Sequence, residues 1–236
     1  MGKVFLLGAG PGAADLITVR GARLLSQANV VLFDALVTQE MLALCPQALC
    51  VSVGKRSGQR STAQQQINQL LLEYASQHEI VVRLKGGDPM MFGRADEEIR
   101  CLEQAGIAYE IIPGITTALA AAASARQPLT QRGVARSVSF FTSSTAPGEA
   151  AETRIPNTDT FIQYMGGKEA SLTAERMLAA KYPADLPVIA IENCSRSDER
   201  IYRLNLQQLA HGLPDCQGPV LVMMGEAMRA RNINPE

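Results

Sequence analysis

The sequence predicts an α/β protein made of two α/β domains, and two observations lead to this prediction. Short apolar runs bounded by turn residues alternate with stretches of helical period along all 236 residues. This alternation is typical of crossover units and a mostly parallel sheet. A segment of turn residues and small residues that begins at Pro113 then separates two parts of the chain. We therefore predict domains spanning residues 1–118 and 119–236.

Apolar runs of strand length occur in both predicted domains and are predicted as β-strands. In the first domain they are Val4–Leu7, Val30–Phe33, Leu49–Val53, Ile80–Leu84 and Tyr109–Ile112. In the second domain they are Val138–Thr142, Thr160–Tyr164, Val188–Glu192, Arg200–Leu204 and Val220–Met224. The intervals between them leave room for crossover helices.

Two of these intervals carry specific helix signals. Ser61 and Gln64 have the spacing of a capping box ahead of Ile67–Tyr74, whose apolar positions fit one helix face. The segment Pro113–Ala125 begins with turn residues and continues as a helix of small residues, which lets neighbouring backbone approach closely. The polar stretch Thr142–Gly148 predicts a loop.

Composition and charge exclude several classes of protein. With 22 Lys+Arg and 23 Asp+Glu the net charge is −1, so nothing attracts the whole molecule to nucleic acid or to an anionic membrane. Five cysteines without a C-x-x-C pair, and two histidines, indicate neither a zinc site nor a disulfide framework. The apolar start ends at Gly8, far short of a signal peptide or membrane span. We expect a cytoplasmic protein with no metal, no nucleic-acid partner and no membrane segment.

The first glycine cluster, GAGPG, follows the first strand and has the form of a dinucleotide-binding motif. Gly8, Gly10 and Ala13 satisfy G-x-G-x-x-G/A, and Asp34 ends the next predicted strand. However, Pro11 removes a backbone N–H where a pyrophosphate would need a donor, and the following DLIT delays the start of a helix. A nicotinamide-dependent oxidoreductase stays an alternative, as does a plain turn between strand and helix.

The second glycine cluster, Gly86–Pro89, follows the fourth predicted strand. Two adjacent glycines permit backbone contact with a flat ligand, and Asp88 can accept hydrogen bonds from hydroxyl groups or an amine. Pro89 stiffens the turn. A purely structural turn explains the same residues, because G-G-D-P is good turn chemistry on its own.

Eight short motifs along the chain occur together in a characteristic order. They are GAGPG (Gly8–Gly12), VLFDALV (Val31–Val37), VGKR (Val53–Arg56), RLKGGDP (Arg83–Pro89), FGR (Phe92–Arg94), PGIT (Pro113–Thr116), PLT (Pro128–Thr130) and YMG (Tyr164–Gly166). In this order the chain resembles the tetrapyrrole methylases that use S-adenosyl-L-methionine, and among them the enzymes that methylate uroporphyrinogen III. The resemblance is nearly continuous from Val4 to Met165. It implies two α/β domains of the tetrapyrrole methylase type, not a Rossmann methyltransferase, with the active site in the cleft between them, and a homodimer.

The resemblance also implies a set of contacts to S-adenosyl-L-methionine, whose product is S-adenosyl-L-homocysteine. The implied contacts are Pro11, Gly86, Gly87, Asp88, Met91, Thr116, Thr117, Met165 and Cys194. Their chemistry suits this ligand, because main-chain groups can bind adenine and the methionine end while Asp88 takes ribose hydroxyls or the amino group. Met91 and Met165 would supply soft apolar walls, although ordinary core packing is the more frequent role of a methionine.

The implied reaction is C-methylation of uroporphyrinogen III at C-2 and C-7 to give precorrin-2, in sirohaem, cobalamin or haem d1 biosynthesis. The methylated carbon regains neutrality when a proton leaves the macrocycle, so an acid/base pair is useful. We expect Asp34 and Lys55 to be proton acceptor and donor, with a ribose-binding acid or a solvated ion pair as the alternatives. Arg94 and Glu97 are a competing pair for the proton and the substrate, and a plain surface pair is their alternative.

A substrate with many carboxylates requires fixed cations, and arginine suits carboxylate best. Several arginines fall in or beside the motif loops, with Arg94 and Arg132 the favoured ones; the set is Arg56, Arg60, Arg94, Arg132 and Arg136. The family pattern is broken on the substrate side, at Ala95, Asp96, Gln131, Ser143 and Ser144. These departures leave open a divergent methylase of another precorrin-like substrate, or a cofactor-binding paralogue with weak or no turnover.

Overall fold

The computed structural model of the protein describes residues 2–54, 64–143 and 154–230. The chain divides into two compact units, Met1–Thr117 and Ala118–Glu236, and each is described by itself. Each unit contains one five-stranded sheet.

The sheet of the first unit is entirely parallel, as the alternation of strands and helices predicts. Its strands are β1 (Lys3–Gly8), β2 (Val30–Phe33), β3 (Leu49–Ser52), β4 (Ile80–Lys85) and β5 (Tyr109–Ile112). They lie in the order β3-β2-β4-β1-β5, and every neighbouring pair is parallel. Parallel pairing brings the carboxyl ends of all five strands to the same edge of the sheet.

The helices of the first unit cover both faces of this sheet. They are α1 (Val19–Leu25), α2 (Gln39–Leu42), α3 (Gln64–Gln77) and α4 (Ala95–Gln104). One apolar core packs α3 and α4 against alternate strand residues such as Val4 and Leu6, and the other packs α1 and α2 against Phe5 and Leu7. The two cores follow from the period of two along a strand, which sends successive side chains to opposite faces.

The predicted helix after the third strand is confirmed as α3, with Ile67, Leu71 and Ala75 buried along one face. Gln64 is its first residue. The other half of the predicted capping box, Ser61, lies outside the described residues.

The sheet of the second unit corrects the prediction of a mostly parallel arrangement. Its strands are β6 (Val138–Thr142), β7 (Thr160–Tyr164), β8 (Pro187–Glu192), β9 (Arg200–Asn205) and β10 (Val220–Met224). Their order is β6-β7-β10-β8-β9, and only the pair of β6 and β7 is parallel. The strands themselves lie where the apolar runs predict them, but a run of apolar residues carries no information about its neighbour or its direction.

The helices that belong to this part of the chain are α5 (Thr117–Ser124), α6 (Gly166–Ala179) and α7 (Leu206–Ala210). Apolar residues of α6 and α7, including Met177 and Leu209, form a core with Phe161 and Val222 of the sheet. In the ranges that the structure describes, no helix combines the length and the apolar character needed to cross a membrane. Those ranges also contain no group of three or more His, Cys, Asp or Glu side chains placed to hold a metal ion.

Candidate active site

Three loops meet at the carboxyl edge of the first sheet, after β1, β4 and β5. The backbones of the first two loops are hydrogen-bonded directly to each other, because the Gly10 N–H donates to the Gly87 carbonyl at 3.1 Å and the Gly87 N–H donates to the Gly10 carbonyl at 2.7 Å. The Ala9 N–H also donates to the Lys85 carbonyl at 2.7 Å. The two glycine clusters therefore form one structure, which is not evident from their separation in the sequence.

Asp88 connects this pair of loops to the third. Its Oδ2 accepts the Gly114 N–H at 2.9 Å, and its Oδ1 accepts the Met90 N–H at 2.8 Å. A carboxylate has about four acceptor positions, so both oxygens can still accept a hydrogen bond from a ligand. Asp88 thus holds the loops together and offers acceptors at the same edge of the sheet.

The glycines at this edge serve two different purposes. A Cβ on Gly8 would stand 2.6 Å from the Gly114 Cα and 2.7 Å from the Gly87 carbonyl oxygen, so these backbones pack directly on one another. A Cβ on Gly86 would stand 2.8 Å from the Leu36 Cβ. Gly87, with φ of 69°, turns an open face, because a Cβ added there would have the Thr117 hydroxyl, at 3.9 Å, as its nearest neighbour. Bare main chain for a ligand is therefore found at Gly87, whereas Gly8, Gly86 and Gly114 make room for the protein itself.

The geometry of the first loop contradicts the nicotinamide alternative. In a dinucleotide-binding fold the acidic residue ends the strand beside the glycine motif. Here β4 lies between β1, which carries the motif, and β2, which precedes Asp34. The motif is followed by a 3-10 helix, Ala14–Leu16, and α1 begins only at Val19, so α1 does not start directly after the glycines, where a dinucleotide-binding fold places the helix N-terminus that binds the pyrophosphate.

Asp34 follows β2 and lies beside the second glycine cluster. Its Oδ2 accepts the Gly86 N–H at 3.4 Å, and its Oδ1 accepts the Leu36 N–H at 3.3 Å. The side chain is 26% exposed, and the Arg83 guanidinium lies 3.9 Å from Oδ2. A partly exposed carboxylate held in this way can accept a proton from a ligand at the edge of the sheet.

Sequence reasoning missed a buried charged network beneath these loops, made of Arg83, Lys85 and Glu98. Oε1 of Glu98 accepts from the Arg83 Nε at 2.9 Å, and its Oε2 accepts from the Lys85 Nζ at 2.8 Å. All three side chains are almost fully buried. Burial lowers the pKa of Lys85, and the positive charge of Arg83 lowers it further. The signal in the sequence was a pair of cations at alternate positions of an apolar strand, since buried charges require partners.

Arg94 and Glu97 are joined to each other on the surface. The Arg94 Nε and Nη2 donate to the two carboxylate oxygens of Glu97 at 2.6 and 2.9 Å. This bidentate hydrogen bond raises the pKa of Arg94. The Arg94 side chain is 61% exposed, so its guanidinium can still reach an anionic ligand. Arg132 is also exposed, in a turn closed by the Gln131 N–H and the Ala135 carbonyl.

The structure describes the surroundings of three of the departures from the family pattern, Ala95, Asp96 and Ser143. Ala95 is buried at the start of α4, and Asp96 pairs with Arg100 at 2.8 Å, so the negative charge of Asp96 has a cationic partner on the same helix. Ser143 is buried in a hydrogen-bonded cluster with Thr173 and Gln163. Ser144 lies outside the described residues.

The predicted cofactor contacts fall into two groups. Most of them lie in the first unit, in the loops after β1, β4 and β5 or, for Thr117, at the first residue of α5; these are Pro11, Gly86, Gly87, Asp88, Met91, Thr116 and Thr117. Met165 and Cys194 lie in the second unit, after β7 and β8, which are parallel to each other because each is antiparallel to β10. Met165 is exposed, and Cys194 is buried with its pKa raised to about 12 by burial and by Glu199. Lys55, Arg56 and Arg60 lie outside the described residues.

The first group fits S-adenosylmethionine by its chemistry. The open face of Gly87 provides a flat surface, Asp88 provides acceptors for hydroxyl or ammonium groups, and the Thr117 hydroxyl lies within reach of the same face. A Cβ at residue 87 would project into this space.

Comparisons with known proteins agree on one family. A family model described as tetrapyrrole (corrin/porphyrin) methylases matches residues 3–210. Uroporphyrinogen-III C-methyltransferase of Pseudomonas aeruginosa is 41% identical over 232 residues, which cover 97% of this chain and 95% of that protein. Siroheme synthase 1 of Klebsiella pneumoniae is 40% identical over 97% of this chain, which spans only 49% of that longer protein.

A solved structure agrees with the fold. Uroporphyrin-III C-methyl transferase from Thermus thermophilus, in complex with S-adenyl homocysteine, matches with a TM-score of 0.85 and 36% sequence identity. The match covers 96% of this chain and 98% of that one. The overall fold is therefore shared with that protein. In this chain the first sheet has the order β3-β2-β4-β1-β5, which differs from a Rossmann arrangement.

Proposed function

Because this chain belongs to the tetrapyrrole (corrin/porphyrin) methylases, we propose that it methylates uroporphyrinogen III at C-2 and C-7 to give precorrin-2. The methyl donor would be S-adenosyl-L-methionine, and S-adenosyl-L-homocysteine would be released. The P. aeruginosa relative, which bears this enzyme's name and matches over 95% of its own length, supports the proposal. The product would serve sirohaem, cobalamin or haem d1 biosynthesis.

One observation carries this proposal: the hydrogen-bonded loops after β1, β4 and β5, which leave the face of Gly87 open beside the Asp88 carboxylate. Main-chain groups of residues 86–88 and the Thr117 hydroxyl would hold the nucleoside and the amino acid end. Pro11, Met91, Thr116, Met165 and Cys194 complete the proposed contacts. When bound, S-adenosylmethionine supplies an electrophilic methyl group on a positively charged sulfur.

The protein's part in such a transfer is mostly alignment. The carbon nucleophile, the methyl group and the sulfur must lie in line in a site that excludes water, and no side chain needs to act as a nucleophile. A carbon–carbon bond forms, the carbon–sulfur bond breaks, and one proton leaves the macrocycle for each methyl group added. The rigid main-chain hydrogen bonds between Gly10 and Gly87 would keep the donor surface in place during this step.

Asp34 is the proposed acceptor of the departing proton. Its carboxylate is partly exposed at the same edge of the sheet and is fixed by the main-chain N–H groups of Leu36 and Gly86. A positioned acid/base group contributes about 100-fold to 10,000-fold to a rate. Lys55 is the proposed donor on the basis of the family resemblance alone.

Arg94 and Arg132 are the proposed anchors for the substrate carboxylates. Both are exposed, and Arg94 presents a planar guanidinium that can bind a carboxylate with two hydrogen bonds. Glu97 pairs with Arg94 in the structure and so would orient this guanidinium or exchange places with a substrate carboxylate. We also propose that the enzyme acts as a homodimer in the cytoplasm.

Product analysis tests the proposal. The protein is incubated with S-adenosylmethionine labelled in the methyl group and with uroporphyrinogen III, and we expect label in a dimethylated product. Asp34→Asn should lower kcat by about 100-fold or more. Asp215→Asn makes the same change at an exposed position of the second unit and should leave kcat unchanged. Binding of S-adenosylhomocysteine without turnover would contradict the proposed reaction, and transfer only to a later precorrin would favour the divergent methylase.

A further inference from the structure

One arginine and one lysine side chain occupy core positions at the end of β4. Arg83 and Lys85 point to the same face of the strand as Val81, which belongs to the apolar core under α3 and α4. Their side chains are 5% and 4% exposed, and Glu98 in the first turn of α4 is 0% exposed. The carboxylate of Glu98 bonds to both cations and also accepts a hydrogen bond from Gln64 at 3.3 Å.

Stability alone does not require charged residues at these positions. Removing ions from water costs free energy. Well-packed apolar residues of similar volume therefore often stabilise a protein as much as a buried ion network does, or more. The surrounding core residues, Val81, Ala95 and Leu102, are apolar, so the strand could continue its apolar pattern here. We therefore expect the charged side chains of this network to have a role besides stability.

The orientation of Arg83 indicates that role. Its Nε is bound to Glu98 at 2.9 Å, and its Nη1 donates to the carbonyls of Leu84 at 3.1 Å and Leu32 at 3.4 Å. Its remaining nitrogen, Nη2, lies 3.9 Å from the Asp34 Oδ2. Leu32 and Asp34 lie two residues apart on and after β2, so Arg83 contacts both the strand and the carboxylate that follows it.

Lys85 completes the arrangement from the other side of Glu98. By binding Oε2, it leaves Oε1 to face Arg83, and so fixes the direction of the carboxylate. The loop residues that follow, Gly86 and Gly87, begin directly after Lys85. The network therefore holds the end of β4 and the start of α4 in one position beneath Asp34.

We propose that Arg83 is a positioning residue for Asp34, and that Glu98 and Lys85 hold Arg83 in the orientation this requires. The inference rests on the proposed function of Asp34 as proton acceptor. Arg83 places a fixed positive charge beside the carboxylate without touching the ligand. Misplacement of a catalytic group by about 1 Å costs on the order of 100-fold in rate, so a small displacement of Asp34 is measurable.

An apolar replacement of the whole network separates positioning from stability. In the triple variant Arg83→Met, Lys85→Met, Glu98→Leu, no buried charge is left without a partner within the network. We expect an unchanged or higher melting temperature, and a Kd for S-adenosylhomocysteine within about threefold of wild type, but a kcat lower by at least about tenfold. A folded triple variant with wild-type kcat would overturn the proposal.

A milder variant covers the case in which the triple replacement does not fold. Arg83→Lys keeps the charge next to Glu98 but lacks the fork that reaches Glu98, Leu32 and Asp34 together. We expect kcat to fall by at least about fivefold with KM for the methyl donor little changed. Arg100→Lys, the same change at an exposed position of α4, is the control and should have wild-type kcat.

A double-mutant comparison shows whether the effect passes through Asp34. If it does, adding Arg83→Lys to Asp34→Asn should lower kcat by less than about twofold further, because the effects of substitutions at two interacting residues are not additive. Two independent losses that multiply would contradict the proposal. Failure of the proposed function is recognised separately, since it appears as absent turnover in the wild-type protein or as full turnover in Asp34→Asn.

Discussion

At the scale of single residues, the glycines of the candidate site illustrate what a motif does and does not reveal. The G-G-D-P turn predicts that the backbone at residues 86 and 87 approaches something closely. In the structure Gly86 packs against the Leu36 side chain, and of these two glycines only Gly87 faces open space. Gly8 is needed for contact with Gly114 rather than for a ligand. A glycine in a sequence indicates close approach, but the identity of the approaching group depends on residues far away in the chain.

Gly8→Ala should destabilise the first unit, because the added Cβ would stand 2.6 Å from backbone atoms of Gly114 that cannot move independently. Overpacking of this kind costs roughly 1–3 kcal/mol of unfolding free energy. The same variant should weaken S-adenosylhomocysteine binding, because the loops after β1 and β5 would separate. Urea unfolding and calorimetric titration measure the two effects.

Gly106→Ala is the matched control for this prediction. Gly106 has φ of 64°, and an added Cβ would meet nothing within 4 Å, so the substitution introduces backbone strain without a clash. It should cost about 1 kcal/mol and leave ligand affinity unchanged. Equal losses of affinity in both variants would show that the packing of Gly8 on Gly114 has no special part in the site.

At the scale of elements, strand positions could be predicted but pairing could not. Apolar runs such as Val188–Glu192 and Val220–Met224 are strands in the structure, within a residue at each end. Their antiparallel pairing was not predicted, because burial makes both runs apolar whatever the direction of the neighbour. The alternation of strands with helices predicted the direction of the strands correctly only in the first unit.

Strand β4 shows a signal that sequence analysis could have used. In VVRLK the cations at 83 and 85 occupy one face of a strand that is otherwise apolar, so a buried carboxylate partner is expected nearby. Helix α4 contains three consecutive acidic residues. The rotation of the helix about its axis decides which of them is that partner. Glu98 faces the sheet, while Asp96 and Glu97 face outward.

The starts of β6 and β7 provide a prediction for pH dependence. Asp159 Oδ2 accepts from the Arg136 N–H at 2.8 Å, from the Ser137 N–H at 2.9 Å and from the Ser137 hydroxyl at 2.8 Å. Hydrogen bonds from the backbone N–H of Arg136, followed by those from Ser137, lower the pKa of Asp159 below its ordinary value of 3.8. A carboxylate with a lowered folded-state pKa stabilises the protein above its unfolded-state pKa, and this contribution is lost as pH falls through the folded-state value.

We therefore expect Asp159→Asn to lower the free energy of unfolding at pH 7, by an amount that shrinks as pH falls below about 4. Urea unfolding of both proteins between pH 3 and pH 7 measures this difference. A difference that grows toward low pH would have the wrong sign and would contradict the proposed role of these hydrogen bonds.

At the scale of the whole molecule, each unit has its own sheet and apolar core, while the proposed chemistry depends mainly on one edge of the first sheet. The net charge of −1 means that attraction of a polyanionic substrate must come from local cations such as Arg94 and Arg132. The resemblance to the family predicts which loops contact the cofactor, because their glycines and Asp88 are local in sequence. It did not identify the network beneath them, which joins two cations of β4 to one carboxylate of α4.

We propose that the nucleoside of S-adenosylmethionine lies against the main chain of residues 86–88. A crystal structure of the protein grown with S-adenosylhomocysteine and a uroporphyrin tests it most directly. We expect the nucleoside to contact the open face of Gly87 and the Asp88 carboxylate, with Asp34 facing the macrocycle. A nucleoside bound away from residues 86–88, with Gly87 covered by protein side chains, would contradict the account.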